Sequence, residues 1–311
     1  MPFFSVIIPL FNKEKHIEHS LKSVLLQEFN DFEIIIVNDG CTDKSLDVIS
    51  QINDKRIRII NQNNLGVSVA RNKGISEAKA DYIALLDADD IWHTNHLKEL
   101  KRLINTLPNA GLFCANYEIV YNEKLCLPAK FNFTYNDKCI IVKDYFKASI
   151  INSVAWTSAV CFTKESFIEI GEFDTHLKTG QDIDLWIRYA LKYKIAFNPK
   201  ITMTYNIHVS KSLSKEEYNE IRYQYINKFE DEEKNNSSLK IYLDINRYAL
   251  AIRSKINNDI NIYKKIKNEI NYKNLNFKQK LLLSTPRFLL VSIKQFQQIL
   301  KRNNVYLTAY N

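Results

Sequence analysis

Short runs of β-branched and apolar residues alternate with segments of helical period over the first hundred residues, and every run ends in a polar tip. FFSVIIPLF closes on Phe11-Asn12, FEIIIVND on Asp39, IRIINQ on an amide cluster and YIALLDADD on three carboxylates. Between them, EKHIEHSLKSVLLQ, TDKSLDVISQIN and GVSVARNKGISEA space their apolar residues as helices do. A strand as apolar as FEIIIVND belongs in a parallel sheet, buried on both faces. The alternation predicts βαβ units, hence an α/β fold with a mostly parallel sheet and flanking helices. Ligands of such sheets bind beyond the carboxyl ends of the strands. The tips PLFN, NDGCTD, NQNN and DADD are therefore expected to line one crevice. Residues 110–207 read as mixed, with strands GLFCANYEIVY and AVCFT and helices near 164–170 and 182–193; beyond His208 the chain turns helical and rich in Lys and Asn.

The DADD tip needs a reason. Two carboxylates at roughly 6 Å and an effective dielectric near 20 repel by about 3 kcal/mol. Asp90, just before IWHTNHLKELKRLI, suits a helix N-cap. Asp87 and Asp89 alternate along an extended chain and so project to the same side. A shared divalent cation would turn their repulsion into a ligand set, and an all-oxygen site suits Mg²⁺ or Mn²⁺. The other tips each admit a bland role beside a functional one. Thr42 after Asp39-Gly40 reads as the cap of the next helix. The Phe11 ring is either core or a platform for a nucleobase. Arg71, early in a helix that points back at the strand ends, is either solvated or a bidentate partner for phosphate or a base edge.

Several classes are disfavoured. No G-x-G-x-x-G occurs, against a dehydrogenase. A haloacid-dehalogenase-like phosphohydrolase also uses Asp-x-Asp, but at the first strand and with Thr or Val where Ile91 stands. A sugar nucleotidyltransferase needs a Gly-rich first loop, and PLFNKEKH has no Gly. The five cysteines (41, 114, 126, 139, 161) are odd in number and lack C-x-x-C spacing, which fits reduced thiols in a cytoplasmic protein without a zinc site or disulfide frame. The first residues read as a strand and not as a signal peptide, and no apolar run has membrane-spanning length.

SVIIPLFN, IIIVNDGCTD, NNLGVSVARNKGI, YIALLDADDIW and GEFDTHLKTGQDIDLWIRYA resemble, in order and approximate spacing, successive blocks of the family 2 glycosyltransferases, over residues 4 to about 210. The resemblance implies a GT-A domain over 1–210, with a nucleotide-sugar-binding half at 1–110 and an acceptor half at 111–210. It implies inverting transfer from a nucleotide-sugar donor, with UDP as the expected nucleotide, to a hydroxyl of a glycan or lipid-linked acceptor in cell-surface polysaccharide synthesis, with Mn²⁺ or Mg²⁺ as cofactor. Carried over by position, Pro9, Phe11, Asn12, Asp39, Gly66, Arg71, Asp87 and Ala88 would bind the nucleotide sugar. Asp89 and His208 would hold the metal, and Trp156 and Gln181 would face the acceptor. Inversion by displacement needs a base opposite the departing diphosphate, and Asp182 is assigned that role. Asp184 is the alternative base, and a charge favoured at a helix N-terminus is the alternative account of Asp182. Gln181 stands where the family has Glu and Asn38 where it often has Asp, departures that leave open a catalytically degenerate, nucleotide-sugar-binding subunit.

The net charge of +8 is unevenly placed: residues 1–210 carry 24 Lys+Arg and 25 Asp+Glu, and residues 211–311 carry 19 and 10. In STPRFLLVSIKQFQQILKRN, Thr285 reads as a cap and Pro286 as the first helical residue. Leu289, Ile293, Phe296 and Leu300 then form one stripe, opposite Arg287, Lys294 and Lys301. Such a helix over 285–302 lies on an anionic membrane, on the catalytic domain, or on a second subunit of a homodimer. A peripheral position at the inner face of the plasma membrane follows from the first of these. No recognisable nucleic-acid module is present.

Overall fold

The computed structural model describes residues 1–207 and 216–310. Ten strands form one sheet: β1 (Phe4–Leu10), β2 (Phe32–Asp39), β3 (Ile57–Gln62), β4 (Tyr82–Leu85), β5 (Ile91–Trp92), β6 (Leu112–Asn122), β7 (Leu125–Pro128), β8 (Ile140–Val142), β9 (Val160–Thr163) and β10 (Ile195–Asn206). Their order is β3-β2-β1-β4-β9-β6-β10-β5, with β7 beside β6 and β8 beside β10. The first four strands are mutually parallel, β9 is antiparallel to both β4 and β6, and β10 is parallel to β6. The carboxyl ends of β1, β2, β3, β4, β6 and β10 therefore share one edge.

The helices of the first part are α1 (Ile17–Leu25), α2 (Ser45–Ser50), α3 (Val67–Ser76), α4 (His96–Thr106), α5 (Tyr145–Ala148), α6 (Lys164–Ile170) and α7 (Gln181–Lys192). Strand order grows from β1 to β3 and then jumps back to β4, so right-handed crossovers put α3 on the face opposite α1 and α2. Ile34, Ile35, Ile36 and Val37 of β2 are wholly buried between these layers, each contributing about 1.5–3 kcal/mol of transfer free energy. Gly74 lets α3 sit close on the sheet: a Cβ there would lie 2.5 Å from Ile7 Cγ2 and 3.2 Å from Val37 Cγ2.

The remaining helices are α8 (Asn219–Asn227), α9 (Glu230–Asn235), α10 (Ser237–Ile256), α11 (Ile260–Glu269), α12 (Phe277–Ser284) and α13 (Arg287–Arg302). The 20-residue α10 is the hub, touching α5, α8, α9, α11, α12 and α13. Side-chain caps start three of these helices: Asn236 for α10, Asp259 for α11, and Asn276 with Gln279 in a capping box for α12.

Three expectations about local structure are corrected. Asp90 caps no helix: after the DADD turn the chain makes the short β5, and α4 begins only at His96. Thr42 is not the cap of α2; Asp43 accepts the Ser45 N–H at 2.9 Å, while the Thr42 hydroxyl accepts from Asn12 Nδ2. Thr285 ends α12, donating its hydroxyl to the Leu281 carbonyl, and Pro286 sits one residue before α13.

Candidate active site

The polar tips do meet at one edge, and long-range hydrogen bonds tie them together. Asn12, with a left-handed backbone (φ 50°), accepts the Thr42 N–H at 2.8 Å, so the end of β1 is fixed to the β2–α2 loop. Phe11 beside it stays exposed and Pro9 is half-buried within β1. Asp39 is buried and grips the loop before α3: its Oδ1 accepts from Gln62 Nε2 (2.7 Å) and the Leu65 N–H (2.9 Å), its Oδ2 from the Gly66 N–H (2.9 Å). With up to four lone-pair sites on a carboxylate, Oδ2 keeps room for one more donor. Asn38 is turned to structural use, donating to Asn61 Oδ1 and accepting the Cys41 N–H.

The carboxylates after β4 do not alternate along an extended strand. A turn closed by the Asp90 N–H on the Asp87 carbonyl (3.1 Å) separates them, and Ala88 is buried inside it. Each then meets its own partner. Asp87 accepts from Arg71 Nη2 at 2.6 Å, Asp89 from Lys13 Nζ at 2.6 Å, and Asp90 from the buried Ser158 hydroxyl at 2.6 Å. Burial, with Asp89 and Asp87 adding repulsion, pushes the Asp90 carboxyl well above the usual range. Asn206 closes the knot from β10 by donating to the Asp89 carbonyl. His208 lies outside the described residues.

Arg71 joins this cluster to the second block. Its guanidinium is buried, stands 5.2 Å from the Phe173 ring centroid, and leaves Nε and Nη1 without a partner among the described residues. Buried N–H groups of a cation are costly to leave unmet, so an anionic ligand at this point is favoured. Asn72, on the next position of α3, exchanges two hydrogen bonds with the Phe173 backbone and so holds the segment before α7.

Asp182 sits in the first turn of α7, whose cap Gly180 has φ 76°; a Cβ there would run into the Tyr225 ring of α8 at 2.1 Å. The carboxylate accepts its neighbour's Ile183 N–H at 2.9 Å and meets the Thr157 hydroxyl only at 3.4 Å. Burial raises its pKa, Arg71 draws it down and Asp87 pushes it up again, which places all three in one electrostatic neighbourhood. Asp184 is committed elsewhere: wholly buried, it accepts Arg188 Nε and Nη2 at 2.9 and 2.7 Å and pairs with Lys228 Nζ at 2.8 Å. Gln181 is buried with its Oε1 unpartnered among the described residues. Trp156 packs tilted against Tyr205, ring centroids 4.2 Å apart and planes at 47°.

Three aromatic neighbours carried no mark in the sequence reading. Burial pushes the Tyr205 phenol up, and Asp90, Asp89, Asp87 and Asp182 all reinforce the shift, so β10 brings this ring to the carboxylates. Tyr225 and Tyr242, on α8 and α10, are buried phenols that also feel Asp182. The helices beyond residue 216 thus reach the neighbourhood of Asp182. Tyr205, next to the end of β10, had the clearest signal: an aromatic at a strand tip on the ligand edge.

A cation has a donor set to meet here. Among the described residues no group of three or more His, Cys, Asp or Glu could hold a metal ion. Mg²⁺ and Mn²⁺ sites on phosphate substrates need only one or two carboxylates, the remaining positions going to water and phosphate oxygens. Asp89, already countered by a cation in Lys13, and Asp87 beside it are of that kind.

Comparison with known proteins agrees with this layout. The S. aureus TarS fragment crystallised with UDP-GlcNAc has the same fold, with a TM-score of 0.63, 20% identity, and coverage of 78% of this chain and 72% of that one. The architecture is therefore GT-A. A putative colanic acid biosynthesis glycosyl transferase of Escherichia coli, WcaA, is 31% identical over 62% of this chain and 67% of its own length. An uncharacterized glycosyltransferase of Rickettsia bellii is 26% identical over 81% of this chain, which spans only 37% of that protein. The model of glycosyl transferase family 2 matches residues 5–171, more than half of the molecule, and the chain belongs to that family.

Proposed function

We propose that this glycosyltransferase moves a sugar, with inversion, from a UDP-sugar to a hydroxyl of a glycan or lipid-linked acceptor in the synthesis of a cell-surface polysaccharide. The observation that carries the reading is the cluster Asp87, Arg71 and Asp182: a buried cation, with N–H groups unmet among the described residues, pairs with a strand-tip carboxylate and acts electrostatically on a second carboxylate that has no ion pair among the described residues. An arginine so placed suits a diphosphate. The carboxylate beyond it suits proton removal from an attacking hydroxyl, and its raised pKa makes it a stronger base than a solvated Asp. Asp39, with a lone pair to spare, and the exposed Phe11 offer an edge and a face for a nucleobase. UDP as the nucleotide is supported by the complex that the TarS fragment forms with UDP-GlcNAc, and the polysaccharide setting by the likeness to WcaA, a putative colanic acid biosynthesis glycosyl transferase.

A divalent cation held by Asp89, with Asp87 next to it, would neutralise charge on the departing diphosphate. Lys13 balances Asp89 until then. Thermal unfolding against a panel of UDP-, GDP- and dTDP-sugars, with and without Mn²⁺, tests the donor assignment, because a ligand that binds only the folded form raises its midpoint. UDP-sugars with Mn²⁺ should give the largest rise, and Asp89→Ala should abolish the Mn²⁺-dependent part. Donor binding indifferent to both Mn²⁺ and Asp89 would sink the metal assignment. A rise with GDP- or dTDP-sugars alone would replace the nucleotide.

A further inference from the structure

Helix α13 is mounted the wrong way round for a soluble monomer. On a 100° wheel, its anchor Leu290, which is 3% exposed, lies opposite Phe288, Phe296 and Ile299, which are 68%, 57% and 53% exposed. The inward side carries polar groups. Lys294 and Gln297 line a cleft of about 410 Å³ beneath the helix, together with Asn246 of α10. Lys301 is turned in between the rings of Tyr121 and Tyr306, its nitrogen 5.3 Å from both centroids. Leu289 extends the outward apolar face, Ile293 borders the cleft, and α12 adds the exposed Phe277 and Leu281. Of the stripe expected from the sequence, Leu289 and Phe296 face outward, Ile293 borders the cleft and Leu300 is half-buried, while Phe288 and Ile299 join the exposed face.

Charge selects what covers it. From residue 270 onward the chain has seven Lys or Arg and no Asp or Glu. A two-fold contact between copies would set this surface against itself, cation facing cation. A surface of anionic headgroups meets both properties: phenyl and aliphatic side chains enter the acyl boundary while the exposed Lys280, Arg287 and Arg302 stay among phosphates. No described helix is long and apolar enough to cross a membrane, so contact of this kind is peripheral. Orientation adds to the case. Asn122, at the carboxyl end of β6, donates to the Lys301 carbonyl, so the end of α13 is fastened at the sheet edge that holds the crevice.

We propose that α12 and α13 form a foot that docks this enzyme on an anionic lipid bilayer, on the side where the crevice opens. The proposal is independent of the donor and of the transfer chemistry.

Flotation with vesicles tests it. The chain should float with vesicles of phosphatidylcholine containing about 30% phosphatidylglycerol, an anionic fraction that gives a strong surface potential. It should stay behind with phosphatidylcholine alone, and added salt should release it. Phe288→Ser/Phe296→Ser/Ile299→Ser should lower the bound fraction on the order of tenfold at an unchanged unfolding midpoint; if the triple variant fails to fold, Phe296→Ser is read in its place and should weaken binding in the same sense. Equal flotation of the folded variant overturns the proposal, as does absence of flotation with the anionic vesicles. In the second outcome, a concentration-dependent dimer lost in the variant would assign the face to another copy of the chain.

Discussion

The crevice and the α12–α13 face are both rich in charge, and they treat charge in opposite ways. At the crevice many charged side chains come in opposed pairs: Lys13 with Asp89, Arg71 with Asp87, and Arg188 and Lys228 with Asp184. Along α12 and α13 the cations have no acid from their own stretch to meet, and the apolar side faces out. Paired charges inside a protein fix positions, because each partner left alone is expensive. Charge of one sign around exposed apolar surface is suited to something outside the molecule. The contrast separates the part proposed to do chemistry from the part proposed to place it.

Asp182 is a part-buried carboxylate with no ion pair among the described residues, and it gives the largest expected effect. Asp182→Asn should lower transfer about 10³-fold, within the usual range for loss of a general base, while UDP binding measured by calorimetry stays within twofold. The pH profile sharpens this. Because burial raises the Asp182 pKa, the wild-type rate should fall on its acid side at a pH above the ordinary carboxylate range. A wild-type rate in Asp182→Asn would move the base elsewhere.

Next comes the paired region itself. Arg188 donates to Asp184 and also to the carbonyls of Ile170, Gly171 and Glu172, so one side chain secures the turn that leads into α7. Arg188→Met would leave the buried Asp184 carboxylate with Lys228 alone and strand three carbonyls, at a cost of about 3 kcal/mol. Urea denaturation reads this directly. A loss below about 1 kcal/mol would put the Asp184 network in the class of weak surface pairs.

How much of this was legible follows the same division. Strand tips announce themselves, because an apolar run that ends in Asp or Asn can place that residue only at the edge of a sheet. FEIIIVND and YIALLDADD therefore gave the sheet, its direction and the crevice. What the tips hold was hidden, since Lys13 and Asp89 are 76 residues apart and Asp39 binds backbone N–H groups, which leave no trace in residue type. Asp90 looked like a cap because an Asp before a helix has the same pattern whether it faces the helix or, as here, Ser158 in the core. Period revealed the two faces of α13 and could not say which one points in, because that depends on Leu290, Tyr121 and the cleft under the helix.

A smaller effect separates buried neutral groups from buried pairs. His96 is fully enclosed, stacked on Trp92 at 4.3 Å, with Nδ1 2.8 Å from the Thr202 hydroxyl. Burial lowers its pKa from 6.5 to about 3. The unfolded chain therefore binds a proton that the folded chain refuses, and the stability given by the neutral ring is present above pH 6.5 and lost as pH falls toward the folded value. At about 1.4 kcal/mol per pH unit, His96→Gln should remove roughly 2 kcal/mol of acid destabilisation between pH 6.5 and 5. Denaturation curves of the two proteins at those pH values provide the measurement, and parallel acid limbs would mean that the ring is hydrated.

The smallest effects test which way α13 faces. Leu290 is the helix's one wholly buried residue, and Leu290→Ala should cost about 2 kcal/mol, toward the low end for a core leucine because the neighbouring cleft is already open. Phe296 is larger and more apolar, so a helix seated on its apolar stripe would lose more from Phe296→Ala than from Leu290→Ala. With Phe296 57% exposed, the cost should instead stay within about 0.5 kcal/mol. The order of the two values, read from denaturation in the absence of lipid, decides between the seats. If Phe296→Ala were the more damaging, α13 would be rolled by half a turn, and the apolar surface offered to a bilayer would disappear.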